Sequence, residues 1–179
     1  MDEQNEVAVF GGGCFWCTEA VFAELKGVTS VLPGYAGGHT ENPSYRQVCS
    51  EQTGHAEVAR VQFDASQISF KELLAVFFAT HDPTTLNRQG ADSGTQYRSM
   101  ILYGNDDQKE QSEDFIEELG KSGVFSSPVV TEVVPLKIFY EAEAEHKQFY
   151  LANPDSMYCQ MVIVPKMAKF REKFAPQLR

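Results

Sequence analysis

No stretch of this chain approaches the ~20 consecutive apolar residues that a membrane-spanning helix needs, so it is read as not crossing a membrane. Basic residues are few: 15 Lys and Arg face 25 Asp and Glu, for a net charge of −10. Nucleic-acid binding relies on clustered Lys and Arg that neutralise phosphates. Neither nucleic acid nor an anionic lipid surface is therefore an expected partner. The opening residues, MDEQN, lack the basic start and apolar stretch of a secretory signal, and a cytoplasmic chain is expected. Internal repeats, low-complexity tracts and Pro/Ser linkers are also missing. The 179 residues are read as a single domain, 1–179, with a core at about 6–166. That size allows roughly 70% of the unfolded surface to be hidden.

Cysteine is sparse too. Four residues, at 14, 17, 49 and 159, are too few for a disulfide scaffold of this length. In a reducing compartment such cysteines are catalytic, metal-binding or merely buried.

Residues 6–10 read as a short buried strand that the glycines at 11–13 break. Phe15, Val21, Phe22 and Leu25 have helical spacing over 15–25. A strand follows at 27–35, a loop at 36–55 and a strand at 57–63. Ser69 with Glu72 three residues on is a capping box that starts a helix over 70–80. Residues 81–95 are polar and Gly-rich. A strand is expected at 97–103, an acidic exposed helix at 106–121, a last long strand at 129–139 and a helix at 142–151. Successive β-α-β units predict an α+β fold, a two-layer α/β sandwich with a ferredoxin-like mixed sheet. The three long loops, 36–55, 81–95 and 152–167, are expected to gather around the Gly-rich turn, because long loops in a compact domain are usually functional.

Cys14 follows three glycines and opens a helix. Unpaired amides at a helix N-terminus stabilise an anion. A free thiol is only ~3% thiolate at neutral pH, so a modest downward shift there would supply far more nucleophile. The bland alternative is a buried, inert cysteine in a tight turn. Phe15 and Trp16 form either an apolar pocket beside the sulfur or ordinary core. Trp16 is the only tryptophan, so its fluorescence reports on this turn. Cys17 completes Cys-x-x-Cys, a dithiol pair or half a zinc site. Zinc needs two more ligands; Cys49, His55 and Cys159 are candidates, without a second close pair.

Elsewhere, Glu57 sits where a loop enters a strand. It is a surface charge or, in an apolar pocket, a proton donor with a raised pKa. Tyr45 packs in the core or aims its hydroxyl at a ligand. Cys49 reads as a buried thiol. Asp92 is a turn former near Tyr97. His81 before Asp82 and Pro83 is a base or part of a turn. Cys159, after Asn153 and Pro154, lies on an irregular C-terminal segment, either packed beneath it or free to swing to a distant thiol.

Together these stretches resemble the A-type peptide methionine sulfoxide reductases. The resemblance is carried by Gly13-Cys14-Phe15-Trp16, Gly34-Tyr35-Ala36-Gly37-Gly38, Thr53-Gly54-His55-Ala56-Glu57, His81-Asp82-Pro83-Thr84, Gly94-Thr95-Gln96-Tyr97-Arg98-Ser99, and Asn153-Pro154 with Tyr158-Cys159. It covers about residues 6–166. It implies that Cys14 attacks the sulfoxide sulfur and Glu57 protonates the oxygen. Tyr45, Asp92 and Tyr97 would hold that oxygen, Asp92 through water, and Phe15 and Trp16 would receive the ε-methyl. The implied substrates are the S epimer of free methionine sulfoxide and oxidised proteins. Neither metal nor cofactor is implied; electrons come from thioredoxin or another dithiol, and a monomer is expected. The resolving thiol is read as Cys159 first, with Cys17 second because it shares a helical turn with Cys14. A thiol-disulfide oxidoreductase using Cys14-x-x-Cys17 remains the alternative. Two departures from the family's pattern stand out. Glu51 replaces a common glycine, and the tail continues Gln-Met-Val-Ile-Val-Pro-Lys instead of Gly-rich.

Overall fold

Along strand β1 (Asn5–Gly11), side chains alternate between two apolar clusters: Ala8 and Phe10 enter one, Val9 the other. This is the two-residue period of a pleated strand. It shows that β1 lies in the middle of a sheet covered on both faces. The computed structural model describes residues 4–179. The start of the polar opening stretch, residues 1–3, lies outside the described residues.

Helix α1 (Phe15–Ala23) follows β1 and leads into β2 (Val28–Ala36). After the short helix α2 (Tyr45–Cys49) come β3 (Ala56–Asp64) and α3 (Phe70–Ala79). A small ribbon, β4 (Arg88–Gln89) with β5 (Asp92–Ser93), precedes β6 (Met100–Tyr103) and helix α4 (Asp106–Ser122). Then come β7 (Glu132–Pro135), β8 (Phe139–Glu141), α5 (Phe149–Ala152) and α6 (Val164–Lys173). Six strands form one mixed sheet in the order β7-β6-β1-β3-β2-β8, antiparallel except for β6 with β7. The central β6-β1-β3-β2, with α1 and α3 as connections, is the split β-α-β arrangement of ferredoxin-like folds. The α+β expectation is met.

The larger cluster lies beneath α1 and α3. Phe10 is fully buried, with its ring centroid 5.2 Å from Phe22, 6.0 Å from Phe70 and 4.9 Å from Phe77. Ser69 caps α3 through the capping box with Glu72. Met167 and Phe170 of α6 join the same core.

The sequence misplaces four pieces. The expected long strand at 129–139 is two strands on opposite edges of the sheet. An extended link from Pro135 to Phe139 reaches at most about 14 Å, whereas six flat strands would separate the edges by about 24 Å. The sheet must therefore curl until its edges approach. The expected helix at 142–151 shrinks to one turn at Ala144–His146 and the short α5. Within the 36–55 loop, a second capping box, Ser44 with Gln47, starts α2. The 152–167 loop instead turns helical at Met157 and runs through a π turn, Cys159–Ile163, into α6. Among the described residues, no helix is long and apolar enough to cross a membrane.

Candidate active site

Cys14 is the N-cap of α1, with φ −60° and ψ 127°, just outside the helix. Gly13 before it has φ of 100°, and a Cβ there would lie 2.8 Å from Gln89 Cγ. The glycine is needed both for its backbone angle and for the close passage of the β4 loop. The turn leaves the Cys14 sulfur facing the amide of Trp16, which hydrogen-bonds to it.

Glu57 comes from β3, on the sheet face that α1 covers. Its Oε1 accepts the Phe15 backbone N–H at 3.2 Å, while Oε2 is buried without a partner. The residue is 1% exposed. Burial pushes its carboxyl up to about 8, against the pull of the Phe15 amide and with help from the Asp92 charge. At neutral pH the group is protonated. Oε1 accepts the Phe15 amide, so the proton resides on Oε2.

Cys14 is only 8% exposed. Burial raises its pKa well above the thiol range, and the charges of Glu57 and Cys17 push the same way. The Trp16 amide and Tyr158 hydroxyl pull against this but do not win. The expectation of a thiol lowered by the helix N-terminus is thus corrected. The amide is in place, but the cost of desolvating a thiolate exceeds it.

The remaining expected residues surround this pair. Burial and then the Glu57 charge raise the phenols of Tyr45 and Tyr97, and Cys14 also acts on Tyr97. Asp92 accepts a 2.7 Å hydrogen bond from the Tyr158 hydroxyl, which also lies 3.7 Å from Cys17 Sγ. Phe15 is fully buried, tilted on Tyr35 at 5.6 Å and near Tyr45 at 6.3 Å. Trp16 is partly buried. Its indole N–H donates to His146 Nδ1 at 3.1 Å, and its ring stacks on Phe149 at 3.6 Å with a 6° interplanar angle.

Cys17 and Cys159 lie in the same core cluster as Cys14. Cys159 is fully buried in the π turn, which matches the packed one of its two sequence readings. Apolar neighbours on the two following turns hold it there: Ile163 and Met167 enter the same core. Cys49 is partly exposed beside Tyr45. Among the described residues, one His/Cys/Asp/Glu group has ligand atoms mutually within 4.8 Å: Glu143, Glu145 and His146. It contains no cysteine. Glu143 is otherwise engaged, accepting from the Tyr35 hydroxyl and the Tyr45 amide, both at 2.9 Å.

The two departures now have places. Glu51 has φ of 65°, a left-handed conformation that favours glycine. Its Oε1 accepts the Thr95 amide at 2.8 Å, tying this loop to the turn that carries Tyr97. The apolar tail forms the π turn and the start of α6.

His146, Phe149, Tyr158 and Glu143 are the site residues that sequence reasoning missed. Trp16 and His146 are 130 positions apart, and no local pattern links them.

Residues 6–178 match the family model described as peptide methionine sulfoxide reductase. The chain belongs to that family. A peptide methionine sulfoxide reductase MsrA of Saccharolobus solfataricus is 53% identical over 174 residues, covering 97% of each chain. One of Deinococcus radiodurans is 53% identical over 175 residues, 98% of this chain and 85% of that one. Among solved structures, reduced Mxr1 of Saccharomyces cerevisiae aligns with a TM-score of 0.80 at 32% identity, over 87% of this chain and 90% of that chain. In this family member, the Gly-rich turn, the 53–57 segment and the 94–99 segment that suggested the resemblance converge on one nearly closed site.

Proposed function

We propose that this chain reduces methionine S-sulfoxide, free or in proteins, to methionine, as one catalytic unit of the cytoplasm. The observation that carries the reading is a buried, protonated Glu57 whose Oε2 lacks a partner, beside the Cys14 sulfur. A sulfoxide oxygen leaves poorly unless protonated, and a positioned acid is worth typically about 10²–10⁴-fold. Cys14 attacks the sulfoxide sulfur while Glu57 gives its proton to the oxygen and recovers the one the thiol loses. The Tyr45 and Tyr97 hydroxyls, held neutral by burial, donate to the same oxygen, and Asp92 acts through water. Phe15 and Trp16 receive the ε-methyl. The methionine sulfur gains two electrons; the Cys14 sulfur loses two and leaves as a sulfenic acid.

A second thiol then condenses with the sulfenic acid, releasing water. Cys17 is one helical turn away. Cys14 stands at the N-cap rather than within the helix, which favours a Cys-x-x-Cys bond. Cys159 is an electrostatic neighbour of Cys17. We therefore assign Cys17 as the first resolving thiol and Cys159 as the second, attacking Cys17 to release Cys14. An external dithiol such as thioredoxin, with a potential near about −270 mV, then reduces the Cys17–Cys159 bond. No metal or cofactor takes part in this scheme. Thiol-disulfide exchange displaces a thiolate and has no oxygen to protonate, so an acid that stands with the Tyr45 and Tyr97 hydroxyls around the nucleophile favours the reductase reading.

The test is methionine formed per enzyme from separate S and R sulfoxides, with and without a dithiol. Reduction of the S epimer alone is expected, and none by Cys14→Ser. Equal use of both epimers, or turnover by Cys14→Ser, removes the reading.

A further inference from the structure

One buried carboxylate takes no part in this chemistry. Glu19 is 4% exposed on α1, one turn beyond Trp16 and on the same helix face. Its Oε2 accepts the Gln148 backbone N–H at 3.0 Å, and the Phe149 amide also bonds to it. Gln148 adopts φ 54° and ψ 38°, a left-handed conformation that costs a non-glycine residue strain. Such a turn points consecutive amides the same way and makes a concavity for an anion. Here the anion is the Glu19 side chain.

Residues on either side of Gln148 hold Trp16. His146, two residues before, accepts the indole N–H; Phe149, one residue after, stacks on the indole face. The indole hydrogen bond and the face-to-face stack therefore both depend on a strap, residues 146–149, tied down at its middle by Glu19; outside the strap, Tyr158 meets the ring edge-on at 5.5 Å. Burial raises the Glu19 pKa, so a buried carboxylate is a costly device if fastening were all that mattered, and an apolar contact would do that more cheaply.

We propose that Glu19 is a positioning residue that orients Trp16 for the substrate by pinning the 146–149 strap. The proposal rests on the reading of Trp16 as part of the pocket for the sulfoxide's methyl group.

The test compares Glu19→Ala, Glu19→Gln and Phe149→Ala in the full-length protein. Trp16 is the sole tryptophan, so emission reports the strap directly, without substrate. Glu19→Ala should shift emission to the red and increase quenching by acrylamide. KM for methionine S-sulfoxide should rise about tenfold with the limiting single-turnover rate within about twofold, the mark of lost binding rather than lost chemistry. Glu19→Gln keeps an oxygen to accept the Gln148 amide and should restore both readouts. Phe149→Ala should reproduce the Glu19→Ala shifts, and combining the two should add little, as for groups acting through one contact. If Glu19→Ala does not fold, Glu19→Asp keeps the charge but withdraws the acceptor by one methylene, with the same changes expected. Unchanged emission in a folded Ala or Asp variant, additive effects with Phe149→Ala, or no rescue by Gln overturns the proposal. The emission arm involves no sulfoxide, so a failure of the reductase reading would leave it standing. Unaltered emission in an active enzyme would sink Glu19 alone.

Discussion

The Phe15 backbone N–H points at Oε1 of Glu57, 42 residues away, and leaves Oε2 buried and unpartnered. This one hydrogen bond fixes where the carboxyl proton sits. The first amide of α1, beside the nucleophile, therefore also orients the acid that assists it.

Replacing that acid should separate rate from stability. Glu57→Gln should slow single-turnover sulfoxide reduction by roughly 10²–10⁴-fold and keep the fold. The folded pKa of about 8 lies above the ordinary 4.5. The stability this group contributes is thus fully present below pH 4.5 and is lost as pH rises to about 8, by about 1.4 kcal/mol for each pH unit. Urea unfolding at pH 5 and pH 8 should show Glu57→Gln gaining on the parent protein as pH rises. Parallel pH dependence in the two proteins would contradict a buried, protonated Glu57.

The cysteine order makes a second prediction. Cys17→Ser should form one methionine per enzyme and then stall with a sulfenic acid on Cys14 that a sulfenic-acid probe captures. Cys159→Ser should also yield one methionine, but stop as a Cys14–Cys17 disulfide, visible by mass mapping. A Cys14–Cys159 bond forming at the normal rate in Cys17→Ser would reverse the assignment.

His81 should contribute to acid stability. Burial lowers its pKa from 6.5 to about 4, although the Phe77 carbonyl favours the charged form. That carbonyl can only accept, so His81 Nδ1 carries the proton and Nε2 accepts from the Ser99 hydroxyl at 2.8 Å, itself 2.7 Å from Thr131. The folded pKa is depressed. The associated stability is therefore present above pH 6.5 and is lost as pH falls towards 4, a loss of roughly 1–3 kcal/mol. In His81→Gln, chemical denaturation midpoints at pH 7 and pH 4.5 should lie closer together than in the parent. An undiminished acid loss would show that another group is responsible.

Much of the site was legible because its signals are local. The Gly-Gly-Gly-Cys-Phe-Trp-Cys run marks a strand, a tight turn and a helix start within seven residues, and Ser69 with Glu72 announces the start of α3. The central sheet order is the one that two β-α-β units adopt in a split β-α-β arrangement. An apolar stretch such as 129–139, by contrast, does not say which sheet edge it joins. Its division between β7 and β8 came only with the curl of the sheet.

By itself, the sequence determined which chemical groups are present and where the chain turns, because capping, glycine conformation and strand alternation act over a few residues. Tertiary structure alone decided their ionisation and their partners. Cys14 keeps its proton and Glu57 carries one because both are cut off from water by segments distant in the chain. Trp16 is held by His146 and Phe149 for the same reason. Desolvation depends on everything packed around a group, and no short stretch of residues specifies that.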